Sequence, residues 1–166
     1  MCSVTIEPLD LPPGVLALAE FAPTEDLMLA VLREKLPEVQ VNTLIEDDAP
    51  PMFILVRRIP KLGLWDGDAR FVDVARFAVH TFTSDPDGDD KGATLSEAIR
   101  VALRDAGNEH KVYPGLGSIS KLTMIAEPAR RTDWATSVGP VQYADLPTGV
   151  SRYETTYEVR VRKPRR

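Results

Sequence analysis

The sequence predicts an α+β fold: a mostly antiparallel sheet of about four to six strands with two helices packed on one face. Three observations predict it. First, two segments carry apolar residues at helical spacing: Leu27, Met28, Val31 and Leu32 in one, and Leu95, Ala98, Ile99, Ala102, Leu103 and Ala106 in the other. Second, the stretches around them alternate or are rich in β-branched and aromatic residues. Third, the order is helix, two strands, a long strand, helix, two strands. It lacks the regular strand–helix alternation of a parallel α/β sheet.

A chain of 166 residues is the size of one domain, and 43% hydrophobic against 27% charged residues is enough to build a packed core. The formal charge of -5 argues against a general nucleic-acid binder, which needs a basic surface to release counterions. Cys2 is the only cysteine, so no intrachain disulfide or thiolate cluster is expected. The apolar run 15–19 is too short to span a bilayer and follows Glu7 and Asp10 rather than basic residues, so neither a signal peptide nor a membrane anchor is read.

Residues 1–23 contain Pro8, Pro12, Pro13 and Pro23, which break any long helix. They read as an extended arm, with 4–6 or 15–21 available to pair with a sheet. Thr24 then reads as a helix N-cap, with Glu25 and Asp26 in the first turn and Pro37 closing the helix. Residues 39–45 alternate as a strand. Glu46, Asp47, Asp48 and the pair Pro50-Pro51 form a turn, and 53–59 is a short apolar strand stopped by Pro60. The loop KLGLWDGDA leads into the longest strand, 70–83, which is apolar on both faces and so reads as central and covered on both sides. The second helix is expected to stop at Gly107. A turn-rich link spans 112–118 and a strand 119–126. Residues 127–150, broken by Pro128, Pro140 and Pro147, read as a long loop. In RYETTYEVRVRK, Tyr153, Thr155, Tyr157, Val159 and Val161 share a buried face. Glu154, Thr156, Glu158, Arg160 and Arg162 share a solvated or partner-facing one.

Catalytic groups are not found, and no cofactor is expected. No G-x-S-x-G elbow is present, Cys2 sits near a chain end, and His80 and His110 lack metal-ligand spacing. GLGS at 115–118 precedes no helix and reads as a turn. The sharpest local feature is SDPDGDDKG at 84–92. An EF-hand loop from Asp85 fails: Gly88 supplies no side-chain ligand, and the twelfth position, which needs a glutamate, is Ser96. Asp-Pro-Asp-Gly makes a turn, and Asp89 or Asp90 then meets the positive end of the following helix. Thr94 and Glu97 offer an alternative capping box. A weakly bound cation on Asp85, Asp87, Asp89 and Asp90 is the secondary reading. A metal-dependent phosphodiesterase using Asp85, Asp87, Asp89 and Lys91 matches the nuclease pattern poorly, because the second acid does not lie on a following strand.

Four strings in this order, DLMLAVLREKLP, PPMFILVRRIPKLGLWDGDARFVDVARFAVHTFTSD, TLSEAIRVALRDAG and RYETTYEVRVRKPR, cover most of residues 23–166. In pattern and order they resemble the tail terminator proteins of long-tailed phages, especially those of actinobacterial hosts. The resemblance implies a structural virion protein at the head-proximal end of the tail, assembled in the host cytoplasm. Such a protein forms a ring, usually of six copies, that ends growth of the tail tube and presents the head-joining surface. Its implied partners are copies of itself, the tail tube protein and a head-completion protein, with DNA passing through the pore unread. The alternative within the same class is another neck, head-completion or tube-like protein. Residue types that dominate interfaces mark the candidate contacts: Trp65, Arg130, Arg131, Trp134 and Tyr143 in loops, and Arg160 and Arg162 on the last strand.

Overall fold

The computed structural model describes residues 23–45, 49–60, 72–131 and 149–162. The arm before Pro23, the Trp65 loop and the segment holding Trp134 and Tyr143 lie outside them. The described chain runs α1 (Thr24–Lys35), β1 (Gln40–Asn42), β2 (Met52–Ile59), β3 (Val72–Ser84), α2 (Gly88–Glu109), β4 (Val112–Tyr113), β5 (Gly117–Arg131) and β6 (Val150–Arg162). The strands form one curled six-stranded sheet in the order β1-β2-β3-β6-β5-β4. Every neighbouring pair is antiparallel except β1 with β2. The α+β class and the strand number follow the sequence expectation.

Both helices lie on one face. Leu27, Met28, Val31 and Leu32 of α1 and Leu95, Ile99, Leu103 and Ala106 of α2 share a single core with Ile54, Val56, Ala75, Phe77, Val79, Tyr157, Val159 and Val161. Within each strand the residues in that set have one parity, as two-residue periodicity requires. The other face carries a smaller cluster of Phe53, Leu55 and Phe82, with the two phenyl rings stacked at 4.6 Å. The middle of β3 is therefore buried on both sides, as a central strand should be.

Several boundaries differ from the sequence reading. Thr24 is the first helical residue rather than the cap, because its hydroxyl donates to the Asp73 carboxylate instead of turning back to the helix. β1 is only Gln40–Asn42. α2 begins at Gly88, ahead of the Thr94–Glu97 box, and runs through Gly107 to end at His110 in the left-handed conformation, φ 49°. Gly107 stays helical because it packs closely on β5: an added Cβ would sit 3.4 Å from that of Leu122. The turn-rich link holds β4, which makes a tight hairpin with β5 around Gly115 at φ 76°. β5 extends to Arg131, so the first five residues of the expected long loop are strand.

α2 meets the sheet through small residues at its N-terminal half. Gly88, Gly92 and Ser96 recur every fourth position and are buried. The Thr83 hydroxyl donates to the Gly88 carbonyl at 2.5 Å, and Ser96 Oγ donates to the Gly92 carbonyl at 2.8 Å and lies 3.1 Å from Thr81 Oγ1. Hydroxyls on β3 thus find partners on the helix, as buried polar groups must. The absence of side chains on the glycines lets the two backbones approach.

Candidate interaction surfaces

The acidic turn joins β3 to α2, and its four aspartates do not converge. Asp87 pairs with Lys91 at 3.5 Å. Asp89 accepts from the Tyr153 hydroxyl at 2.9 Å and faces Arg130 Nε at 3.1 Å. Asp85 lies beside Gly149, and its N–H donates to the Gly149 carbonyl at 3.0 Å. Asp89 and Asp90 occupy the first turn of α2, where the helix dipole favours negative charge. Among the described residues, no group of three or more carboxylate, imidazole or thiol side chains is placed to hold a metal ion.

The predicted arginines fall in three places. Arg130 lies on the helix face of β5 and clamps Asp89 to Tyr153 at the start of α2. Arg131, one residue on, lies on the opposite face beside Arg152. Arg160 and Arg162 are exposed on that same opposite face, at the far end of β6. The first two are therefore strand residues that tie the domain together, not parts of a free loop.

The predicted polar face of β6 is only partly exposed. At its N-terminal half Arg152 and Glu154 are buried, together with His80 of β3. A single glutamate oxygen lies 3.6 Å from Arg131, 3.8 Å from His80 and 3.9 Å from Arg152, ionic contacts longer than hydrogen bonds. Burial, and then the positive charges of Arg152, Arg57 and Arg131, hold the His80 imidazole down at about 3. Glu154 does not offset them, so His80 is neutral at pH 7. His110 is also placed by structure: as the left-handed cap of α2, its Nδ1 lies 3.1 Å from the Ile119 carbonyl.

The surfaces open to a partner lie at the two lateral edges of the sheet. At one edge β1 pairs only with Phe53, Ile54 and Leu55 of β2, leaving 56–59 without an outer strand among the described residues. Leu44, just past β1, is 73% exposed. At the other edge β4 pairs only with Gly117 and Ser118, so residues 119–131 of β5 have a strand partner on the β6 side alone among the described residues. Val101, Val112 and Ile125 are exposed on this side. The exposed large apolar residues of the described chain thus fall at or beside the two edges of the sheet.

Sequence reasoning missed both Leu44 and the β5 edge. The signal for Leu44 is an apolar side chain directly before Ile45 and three carboxylates, a combination with nothing to bury it locally. The edge has no local signal, because which strand is left outermost depends on the pairing of the whole sheet. No known protein-family model matches the chain, and neither does any curated protein.

Proposed function

We propose that this protein is a ring-forming structural subunit of a phage tail, with the tail terminator role as its specific reading. The observation that supports it most directly is the pair of unlike lateral edges. A closed ring needs a heterologous contact, in which one surface of each subunit meets a different surface of the next. Here the β1 edge and the β5 edge are opposite in the strand order, differ in sequence, and carry exposed apolar side chains and strand segments that have no outer partner among the described residues. The α+β sheet with two helices on one face is the architecture that the resemblance to tail terminators implies. Within this reading the subunits form a ring, hexameric in the manner of the family the chain resembles, at the head-proximal end of the tail tube.

Native mass spectrometry of the purified protein, alone and with isolated tail tubes, tests the proposal. The expected result is a discrete multiple of the subunit mass bound at one end of the tube. A protein that stays monomeric at high concentration and never binds tubes would sink it. Labelling within assembled virions separates the terminator from a neck or tube-like subunit: a terminator sits only between tube and head.

A further inference from the structure

We infer that the helix-free face of the sheet, at the end where β5 and β6 carry Lys121, Arg160 and Arg162, is a contact surface for the phosphate backbone of nucleic acid. The inference goes beyond the ring reading and stands without it.

In the strand register Lys121 lies directly opposite Arg160, and Ser118 directly opposite Arg162. Residues opposite one another share a face, and so do residues two apart on one strand. Lys121, Arg160 and Arg162 therefore all project from the face away from the helices, and all three are exposed. Like charges directly opposite across two strands destabilise a sheet, so Lys121 against Arg160 is a pairing that stability alone disfavours. The carboxylate nearest in register, Glu158, stands two residues before Arg160 on this face and meets its cross-strand neighbour Arg76 at 3.0 Å. Lys121 and Arg162 have no ion-pair partner among the described residues. In a chain of net charge -5 the cluster is a local inversion of sign. In sequence the run goes on through Lys163, Arg165 and Arg166, with no carboxylate side chain after Glu158.

The surroundings of the cluster favour phosphate over an acidic protein surface. Protein interfaces draw their energy from aromatic and arginine anchors seated in desolvated pockets. Here the neighbours in register are Val72 and Val74 of β3 and Ser118 of β5, with no aromatic side chain and no pocket between them. Arginine and lysine beside a hydroxyl are the groups that contact phosphate oxygens and sugars. Exposed cations on a strand pair hold no fixed pattern of donors and acceptors against a base edge. The contact is therefore with the backbone and independent of base sequence. A surface of this kind is local, and it leaves the acidic remainder of the chain to repel nucleic acid elsewhere.

Fluorescence anisotropy with a short labelled DNA duplex of mixed sequence, at low salt, tests this. The wild-type protein is expected to bind, with the logarithm of the association constant falling linearly with the logarithm of salt concentration. Lys121→Gln with Arg162→Gln is expected to weaken binding on the order of tenfold and to reduce that slope by about 2, about 1 for each lost phosphate contact. Arg100→Gln with Arg104→Gln removes the same charge from exposed side chains of α2 and is expected to change neither quantity. Thermal melts check that both variants fold. Duplexes of unrelated sequence are expected to bind alike. Absence of binding at low salt overturns the inference. Equal losses in the two variants overturn it as well, because binding then follows net charge alone. Displacement of the duplex by polyglutamate at matched charge overturns it in favour of an acidic protein partner, and a clear preference for one duplex overturns the backbone contact. None of these outcomes bears on subunit association, so the ring reading and the patch fail separately.

Discussion

Gly92 shows how a residue's context can reverse its propensity. In an exposed helix interior, replacing glycine by alanine stabilises by about 1 kcal/mol. At Gly92 the new Cβ would lie 2.9 Å from Thr83 Oγ1 and 2.9 Å from a Tyr153 ring carbon. Overpacking of that kind costs about 1–3 kcal/mol, and both neighbours are themselves held by packing. Gly92→Ala is therefore expected to lower the midpoint of urea unfolding, and a raised midpoint would show that α2 can lift off β3 without loss. His80 carries a second expectation. Its folded value of about 3 lies below the 6.5 of an exposed imidazole. As pH falls below 6.5 the unfolded chain takes up a proton that the folded chain refuses, so the stability held above that point is lost progressively toward pH 3. The slope from this one group is at most about 1.4 kcal/mol per pH unit. His80→Gln should flatten that part of the stability profile, measured by thermal melts between pH 4 and 7.

At the level of elements, the start of α2 gathers the contacts that the acidic turn makes. Asp89 receives the Tyr153 hydroxyl and the Arg130 guanidinium, whereas Asp90 is exposed and sits in the same helix turn. Asp89→Ala is expected to cost about 1 kcal/mol, discounted because its side chain is half exposed, and Asp90→Ala less than about 0.5 kcal/mol. Equal losses in the two variants, read from denaturant midpoints, would mean that charge at the helix end matters and the clamp does not. The sequence made this helix legible because its apolar stripe and its acidic first turn are local patterns. The Gly88, Gly92 and Ser96 stripe was equally local but lay on the polar-looking side of the pattern, and only the hydroxyls of β3 give it meaning. Strand β5 was read too short because Glu127 and Pro128 break its alternation. Pairing with β6 holds it as strand through three register shifts, up to Arg131. The buried Arg152–Glu154–His80 group could not be read at all, since alternation reports which residues share a face and not whether that face is covered.

For the whole molecule, the β5 edge, which beyond Ser118 has no outer strand partner among the described residues, raises the question of how a subunit of the proposed ring would avoid unlimited association. A long edge strand is a template for unlimited strand pairing. β5 is irregular in the ways that prevent it: its register with β6 shifts between Ile119 and Lys121, between Met124 and Ala126, and between Ala126 and Ala129, and Pro128 lies inside the last shift. Bulges twist an edge away from flat pairing, and proline removes a backbone donor. Such an edge disfavours endless sheet growth and leaves association to side chains, whose fit sets one geometry. Pro128→Val restores a donor and a β-forming side chain at a half-buried position within the otherwise exposed 125–130 stretch. It is expected to shift the protein from a discrete assembly toward large, polydisperse species, seen by light scattering and by binding of an amyloid-sensitive dye. An assembly of unchanged size and homogeneity would show that the irregular edge is not what limits growth, and that closure is set wholly by the contacts at the two lateral surfaces.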